Sequence, residues 1–206
     1  MKRRRLCRRS VPAVAAWVAA ICPAAAEAHL NSTGMGPLYD GSLHFLTSPE
    51  DLVSALALGL WAGLRGADHG RRALFVLPSA WLLGGLLGAT AAATPDSAVG
   101  SSFWLLLLGG LLAADAKVSL RLTTVLAACV GLAHGYANGA GMGAAWDAAG
   151  ALLGLGAAVF VLVALSAAFA TSLRAPWTRI AVRVAGSWIA ASGLLLLGWS
   201  MRSGWR

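Results

Sequence analysis

Charge is scarce in this chain, cysteine is close to absent, and no phosphate-cradling glycine loop occurs anywhere in it. Charged residues make up 12% of the 206 positions while 58% are hydrophobic, a balance that excludes an ordinary water-soluble domain. Of three cysteines, Cys7 and Cys22 fall in the first segment and Cys129 stands alone in an apolar run. That distribution excludes a disulfide framework and a Cys-x-x-Cys metal clip. The missing G-x-x-x-x-G-K-[ST] pattern, together with the lack of any polar stretch long enough for a soluble domain, excludes an ATP-driven pump. The net charge of +8 is not a nucleic-acid signal either. Lys2, Arg3, Arg4, Arg5, Arg8 and Arg9 supply much of it, and no basic, aromatic-interleaved stripe follows.

What is present begins with a leader. The basic start, the apolar run from Val11 to Ile21 and the small residues Ala24-Ala25-Ala26-Glu27-Ala28 follow the plan of a secretory signal peptide, with Ala26-x-Ala28 as the cut. Residues 1–28 are therefore expected to be removed and residues 29–206 to form a single transmembrane helical domain. Without the leader the count becomes ten basic against seven acidic groups. His29 becomes the first residue of the mature chain, where its amine and imidazole form a ready metal chelate; a solvated terminal histidine with no role is an equal reading.

The fold class is all-α, a polytopic membrane bundle. A crossing helix needs about 20 apolar residues, fewer where the bilayer thins. Six stretches qualify: Asp51 to Leu64, Ala73 to Ala93, Phe103 to Val118, Leu122 to Gly139, Trp146 to Ser172 and Ile180 to Met201. The basic residues alternate between their connections. Arg65, Arg71 and Arg72 follow the first span, Lys117 and Arg121 the third, and Arg174, Arg179 and Arg183 the fifth. The connections after the second and fourth carry none. Short cytoplasmic loops retain positive charge, which predicts a multi-pass protein with a non-cytoplasmic mature amino terminus and the lipid bilayer as its surroundings. Pairs such as Gly84-Gly85 and the series Gly135, Gly139 read as close helix packing. Gly135 and Gly139 also flank a polar face of span four in a way that permits local unwinding.

Two polar clusters need an explanation, because ionisable groups in or beside a span are costly unless paired or facing a cavity. The first is His44-Phe45-Leu46-Thr47-Ser48-Pro49-Glu50-Asp51. Ser48 as N-cap, Pro49 at the first helical position and one acid in the first turn are accounted for by helix initiation. Two adjacent acids so close behind a histidine are not. The second is His134-Gly135-Tyr136-Ala137-Asn138, where His134 and Asn138 share one helix face; hydrogen bonding between helices explains that pair as readily as ion binding does. The alternating topology brings both clusters to one membrane face. His44, Glu50, Asp51 and His134, with Asn138 beside them, make a nitrogen and oxygen set suited to nickel, cobalt, zinc or copper(II) rather than magnesium or copper(I). Met35 and Met142 lie near the same face and read as packing.

With these residues the chain resembles the HupE/UreJ family of small bacterial membrane proteins, regarded as nickel or cobalt permeases. Members carry a His-x5-Asp-His motif at span one and a Phe-His-Gly-x-Ala-x-Gly-x-Glu-like motif in span four. Here His44 matches the first histidine, Glu50 stands at the aspartate and Asp51 at the second histidine. Ala133 replaces the phenylalanine, His134, Gly135 and Ala137 match, and Gly141 takes the place of the glutamate. The resemblance implies six spans after a cleaved signal and transport of a divalent transition-metal ion as substrate, with no resident cofactor. The departures remove one imidazole and one carboxylate and leave a site richer in oxygen. A membrane metal-binding or assembly accessory that does not conduct is the alternative. No enzyme is expected: an intramembrane serine protease would have to pair Ser192 with His134, yet Ser192 lacks the first glycine of a G-x-S-G arrangement.

Overall fold

Two prolines set where the described chain first becomes helical. Pro37 and Pro49 each open a helix, at the position where a missing N–H removes no hydrogen bond. The computed structural model describes residues 33–91, 98–142 and 147–203, and among them it contains seven α-helices and no strand. These are α1 Pro37–Thr47, α2 Pro49–Leu64, α3 Ala67–Ala89, α4 Ala98–Ala113, α5 Leu120–Met142, α6 Ala148–Ser172 and α7 Pro176–Ser203. Four of them, Ala67–Ala89, Leu120–Met142, Ala148–Ser172 and Pro176–Arg202, are long and apolar enough to cross a membrane, and Gly100–Ala113 is a shorter apolar helix. The protein is a multi-pass α-helical membrane protein. The signal segment 1–28 and His29 lie outside the described residues, as does the expected start of span five at Trp146.

The sequence leads one to expect a single short first span beginning at Asp51. Instead α1 and α2 follow one another with only Ser48 between them, in extended conformation (φ −93°, ψ 97°). Ser48 is the N-cap residue of α2, but its hydroxyl does not cap that helix. It donates to the His44 carbonyl at 2.8 Å, closing the last turn of α1. The chain is thus broken at Ser48, three residues before the expected start of the first span.

Span four behaves in the opposite way. α5 runs unbroken through Gly135 and Gly139, so the unwinding those glycines permit does not occur there. They let α5 lie directly on α3: a methyl group at Gly135 would collide with the Trp81 carbonyl, one at Gly139 with the Gly85 carbonyl, and one at Gly131 with the Leu77 carbonyl. The two helices therefore run parallel, residue 77 beside 131, 81 beside 135 and 85 beside 139. Where lipid removes the hydrophobic drive between helices, this close backbone approach gains dispersion contact. α4 and α7 form a second seam, antiparallel, through Gly109, Gly186 and Gly193.

α2 occupies the middle of the bundle. Ala55, Ala57, Leu58, Trp61 and Ala62 have no exposed surface, and the helix contacts α6, α4 and α3. Its Gly59 and Gly63 face Ser166 and Ala167 of α6. α1 crosses the start of α6, with Gly41 against Ala151 and the Ser42 hydroxyl donating to the Gly154 carbonyl at 3.0 Å. One end of α2 is thereby brought beside the last turns of α5, and its other end beside the turn that follows α4.

Candidate cation site

The break between α1 and α2 leaves His44 in the last turn of one helix and Asp51 in the first turn of the next. Both side chains meet α5. The Asp51 carboxylate takes two contacts from that helix: His134 Nδ1 lies 2.7 Å from Oδ1, and the Asn138 Nδ2 donates to Oδ2 at 2.9 Å. His44 Nε2 sits 2.8 Å from Asn138 Oδ1. Asp51, His134 and Asn138 are buried and His44 is half-buried.

Proton positions follow from this network. Asn138 commits its amide hydrogens to Asp51 and, at 2.8 Å, to the His134 carbonyl, so its Oδ1 accepts and His44 Nε2 carries the hydrogen. Asp51 as a carboxylate only accepts, so His134 Nδ1 is the donor there. The nitrogens left with lone pairs are His44 Nδ1 and His134 Nε2. The latter is buried and has no hydrogen-bond partner, which is costly for a polar atom unless it serves another purpose. A carboxylate holding one imidazole nitrogen so that the other points its lone pair elsewhere is the arrangement by which proteins orient histidine ligands.

The charge of Asp51 is the second element. Among the described residues its ion-pair partner is His134, and no lysine or arginine reaches it. A buried carboxylate whose partners are an imidazole and an amide, with no lysine or arginine to neutralise it, is an electrostatic setting that favours a cation. The apolar floor is aromatic. The His134 ring lies over Trp81 with centroids 5.2 Å apart, and Phe45 meets Trp81 edge-on at 5.9 Å.

The expected ligand residues do not all converge. Glu50 is exposed, as the other acid of the first turn points away from the bundle. Met35 is exposed and Met142 packs on the apolar core. No group of three or more His, Cys, Asp or Glu side chains among the described residues is arranged to hold a metal ion. What the network presents is two imidazoles, one carboxylate and one amide joined by hydrogen bonds across the helix break. Ser192 of α7 donates to the Trp188 carbonyl of its own helix and is exposed, whereas His134 is buried on α5, which does not pack on α7, so the pair needed for serine chemistry is not brought together.

The family follows from comparison of the chain with known proteins. The model of the HupE / UreJ protein family matches residues 16–196. The chain belongs to the HupE/UreJ family. It is similar to Protein HupE of Rhizobium leguminosarum bv. viciae, 27% identical over 179 residues that cover 85% of this chain and 91% of that protein. No solved structure matches it. The stretch shared with the HupE/UreJ family contains α1 through most of α7, including every side chain of the network.

Sequence reasoning missed Trp81, which lies under His134 from α3; the only trace of it was the glycine spacing that pairs α3 with α5. It also left unconnected the opposite end of α2. There Asp115 accepts from both Arg65 and Arg179, the latter through Nε at 3.0 Å and Nη2 at 3.1 Å. Arg179 also reaches the Leu64 carbonyl at 3.3 Å. The Trp61 indole donates to the Ala116 carbonyl at 3.1 Å. Asp115 itself has φ +50°, a conformation that costs most residues about 1–2 kcal/mol and that aspartate tolerates better than most. Burial, and then the charge of Arg179, lower the Arg65 guanidinium from its ordinary value.

Proposed function

We propose that the protein carries a divalent transition-metal ion, nickel or cobalt, across the bacterial inner membrane, receiving it at His44, Asp51, His134 and Asn138 near the periplasmic face. The observation that carries this reading is the buried Asp51 carboxylate, whose partners are an imidazole and an amide rather than a lysine or arginine. In this reading α1 and α2 together make the first of six crossings, and the end bearing Arg65, Arg71 and Arg72 faces the cytoplasm, as the distribution of basic residues favours. Helices broken at a binding site are a recurrent device of transporters, because the two half-helix ends offer free backbone groups to an ion.

Each residue then has a role. Asp51 supplies the attracting charge and fixes His134, whose Nε2 is a nitrogen ligand. Asn138 holds His44 and Asp51 together, and His44 offers Nδ1 from the α1 side of the break. Family membership supports metal handling. His29, freed by removal of residues 1–28, would be a first point of capture.

The test is nickel and cobalt flux into sealed vesicles containing only this protein. Flux that saturates with ion concentration and disappears in His134→Ala supports transport. Binding without flux favours the non-conducting accessory.

A further inference from the structure

α2 carries chemistry at both ends of a single stripe. Asp51 and Arg65 are separated by fourteen residues, which at 1.5 Å per residue is about 21 Å of axis, and their directions around the helix differ by about 40°. Ser54 and Leu58, between them on the same side, have no exposed surface, and the Ser54 hydroxyl has no hydrogen-bond partner. A cation leaving the Asp51 end along this stripe reaches Arg65, whose side chain is only 6% exposed. At that point two guanidinium groups face one carboxylate, and Arg183 donates to the Ala113 carbonyl one turn away at 2.9 Å. The local charge there is positive, in contrast to the Asp51 end.

We infer that the cluster of Arg65, Asp115 and Arg179 is the inner gate of the transport pathway, held shut by Asp115 and opened when that carboxylate lets the two arginines go. The inference rests on the transport reading above and names how the same pathway is regulated. Three features distinguish a latch from a fixed staple. Arg65 Nε is buried without a partner, so the guanidinium is not fully satisfied in the closed state. Asp115 occupies the left-handed position that ends α4, where Ala116 N–H reaches the Leu111 carbonyl at 3.0 Å and Asp115 N–H the Leu112 carbonyl at 3.2 Å. Glycine fills such positions without strain, so a carboxylate there is placed at some conformational cost. Finally, the three partners come from three separate elements, α2, the turn after α4, and α7. Releasing Asp115 therefore removes the ionic tie between α2 and the α4 and α7 pair, leaving the Trp61–Ala116 hydrogen bond and the packing of α2 on α4, without touching the α3 and α5 seam.

The experiment reads access from the inner side without metal. Leu58→Cys is introduced with Cys7, Cys22 and Cys129 replaced by serine, and inside-out vesicles are treated with a membrane-impermeant maleimide. With Asp115 intact, labelling at position 58 is expected to be slow. Asp115→Asn should raise the rate at least tenfold, and Asp115→Glu should keep it low. Should Asp115→Asn fail to fold, Arg179→Gln, at a more exposed side chain, carries the same test with a rise of severalfold. Labelling within twofold of the parent in a folded Asp115→Asn or Arg179→Gln protein, or rapid labelling with Asp115 intact, overturns the gate. Nickel flux is measured on the same vesicles. Unchanged labelling beside normal flux removes the gate alone, and increased labelling without flux in any variant removes the transport reading.

Discussion

Asp51 and Asp115 mark the two ends of the central helix, and the contrast between them shows that a carboxylate's partners decide what it can do. Asp115 is met by two guanidinium groups that outnumber it, so its charge is spent on holding helices together. Asp51 is more deeply buried and is met by an imidazole and an amide, so its charge remains available. The same side chain closes one end of α2 and, in the proposed function, opens the other to a cation. Buried ion pairs contribute little net stability because desolvation offsets attraction, which directs attention to the specificity of each arrangement.

The comparison can be broken at several points. The largest effect is expected from Gly135→Val, which pushes a branched side chain into the Trp81 backbone. Overpacking typically costs about 1–3 kcal/mol even where neighbours can move, and here the neighbour is main chain. Gel filtration in detergent should show loss of monodisperse protein; a well-folded variant would mean that the seam supporting the Asp51 end is looser than described. His134→Ala removes the free nitrogen and leaves the Asp51 end without its imidazole, and nickel affinity measured by titration calorimetry should fall about 100-fold. An affinity within twofold of the parent would mean that His134 only packs on Trp81. Asn138→Ala leaves every ligand nitrogen in place but unties His44 from Asp51. A loss of about tenfold is expected, as for other groups that orient ligands, and a larger loss than that of His134→Ala would make Asn138 the primary contact. Glu50→Gln is the smallest: an exposed charge is screened by water and salt, and affinity should change by less than about twofold. A tenfold drop would return Glu50 to the ligand set and place the site outside the helix break.

Much of this was legible in the sequence, for identifiable reasons. The apolar runs and the alternation of basic residues report the solvent around each segment, so a multi-pass bundle could be read without knowing any contact. His44, Asp51, His134 and Asn138 could be named because polar groups are rare enough in such a chain to demand an explanation, and the family motif lent positions to all but Asn138. Glu50 and Asp51 could not be separated by type, since adjacent residues differ by about 100° around a helix and only the packing decides which one turns inward. The break at Ser48 was hidden because Ser-Pro reads equally as a helix start after a loop or as a joint between two helices. Gly135 and Gly139 were ambiguous between flexibility and close approach, and the presence of α3 with its own glycines selects the second. The Arg65, Asp115 and Arg179 cluster was invisible because Arg65 and Arg179 lie in connections that the span pattern treats as solvated loops, and Asp115 falls near the end of the third expected span, with nothing in the pattern to join them.

In the proposed function Asp51 is the charge that receives the cation. Nickel binding by the purified full chain, compared between the parent, Asp51→Asn and Asp115→Asn, tests this directly. Binding is predicted to fall by at least about 100-fold in Asp51→Asn while both proteins keep the parent's helical content, and to remain within threefold in Asp115→Asn. Equal nickel affinity in the parent and Asp51→Asn, or a loss confined to Asp115→Asn, would contradict it.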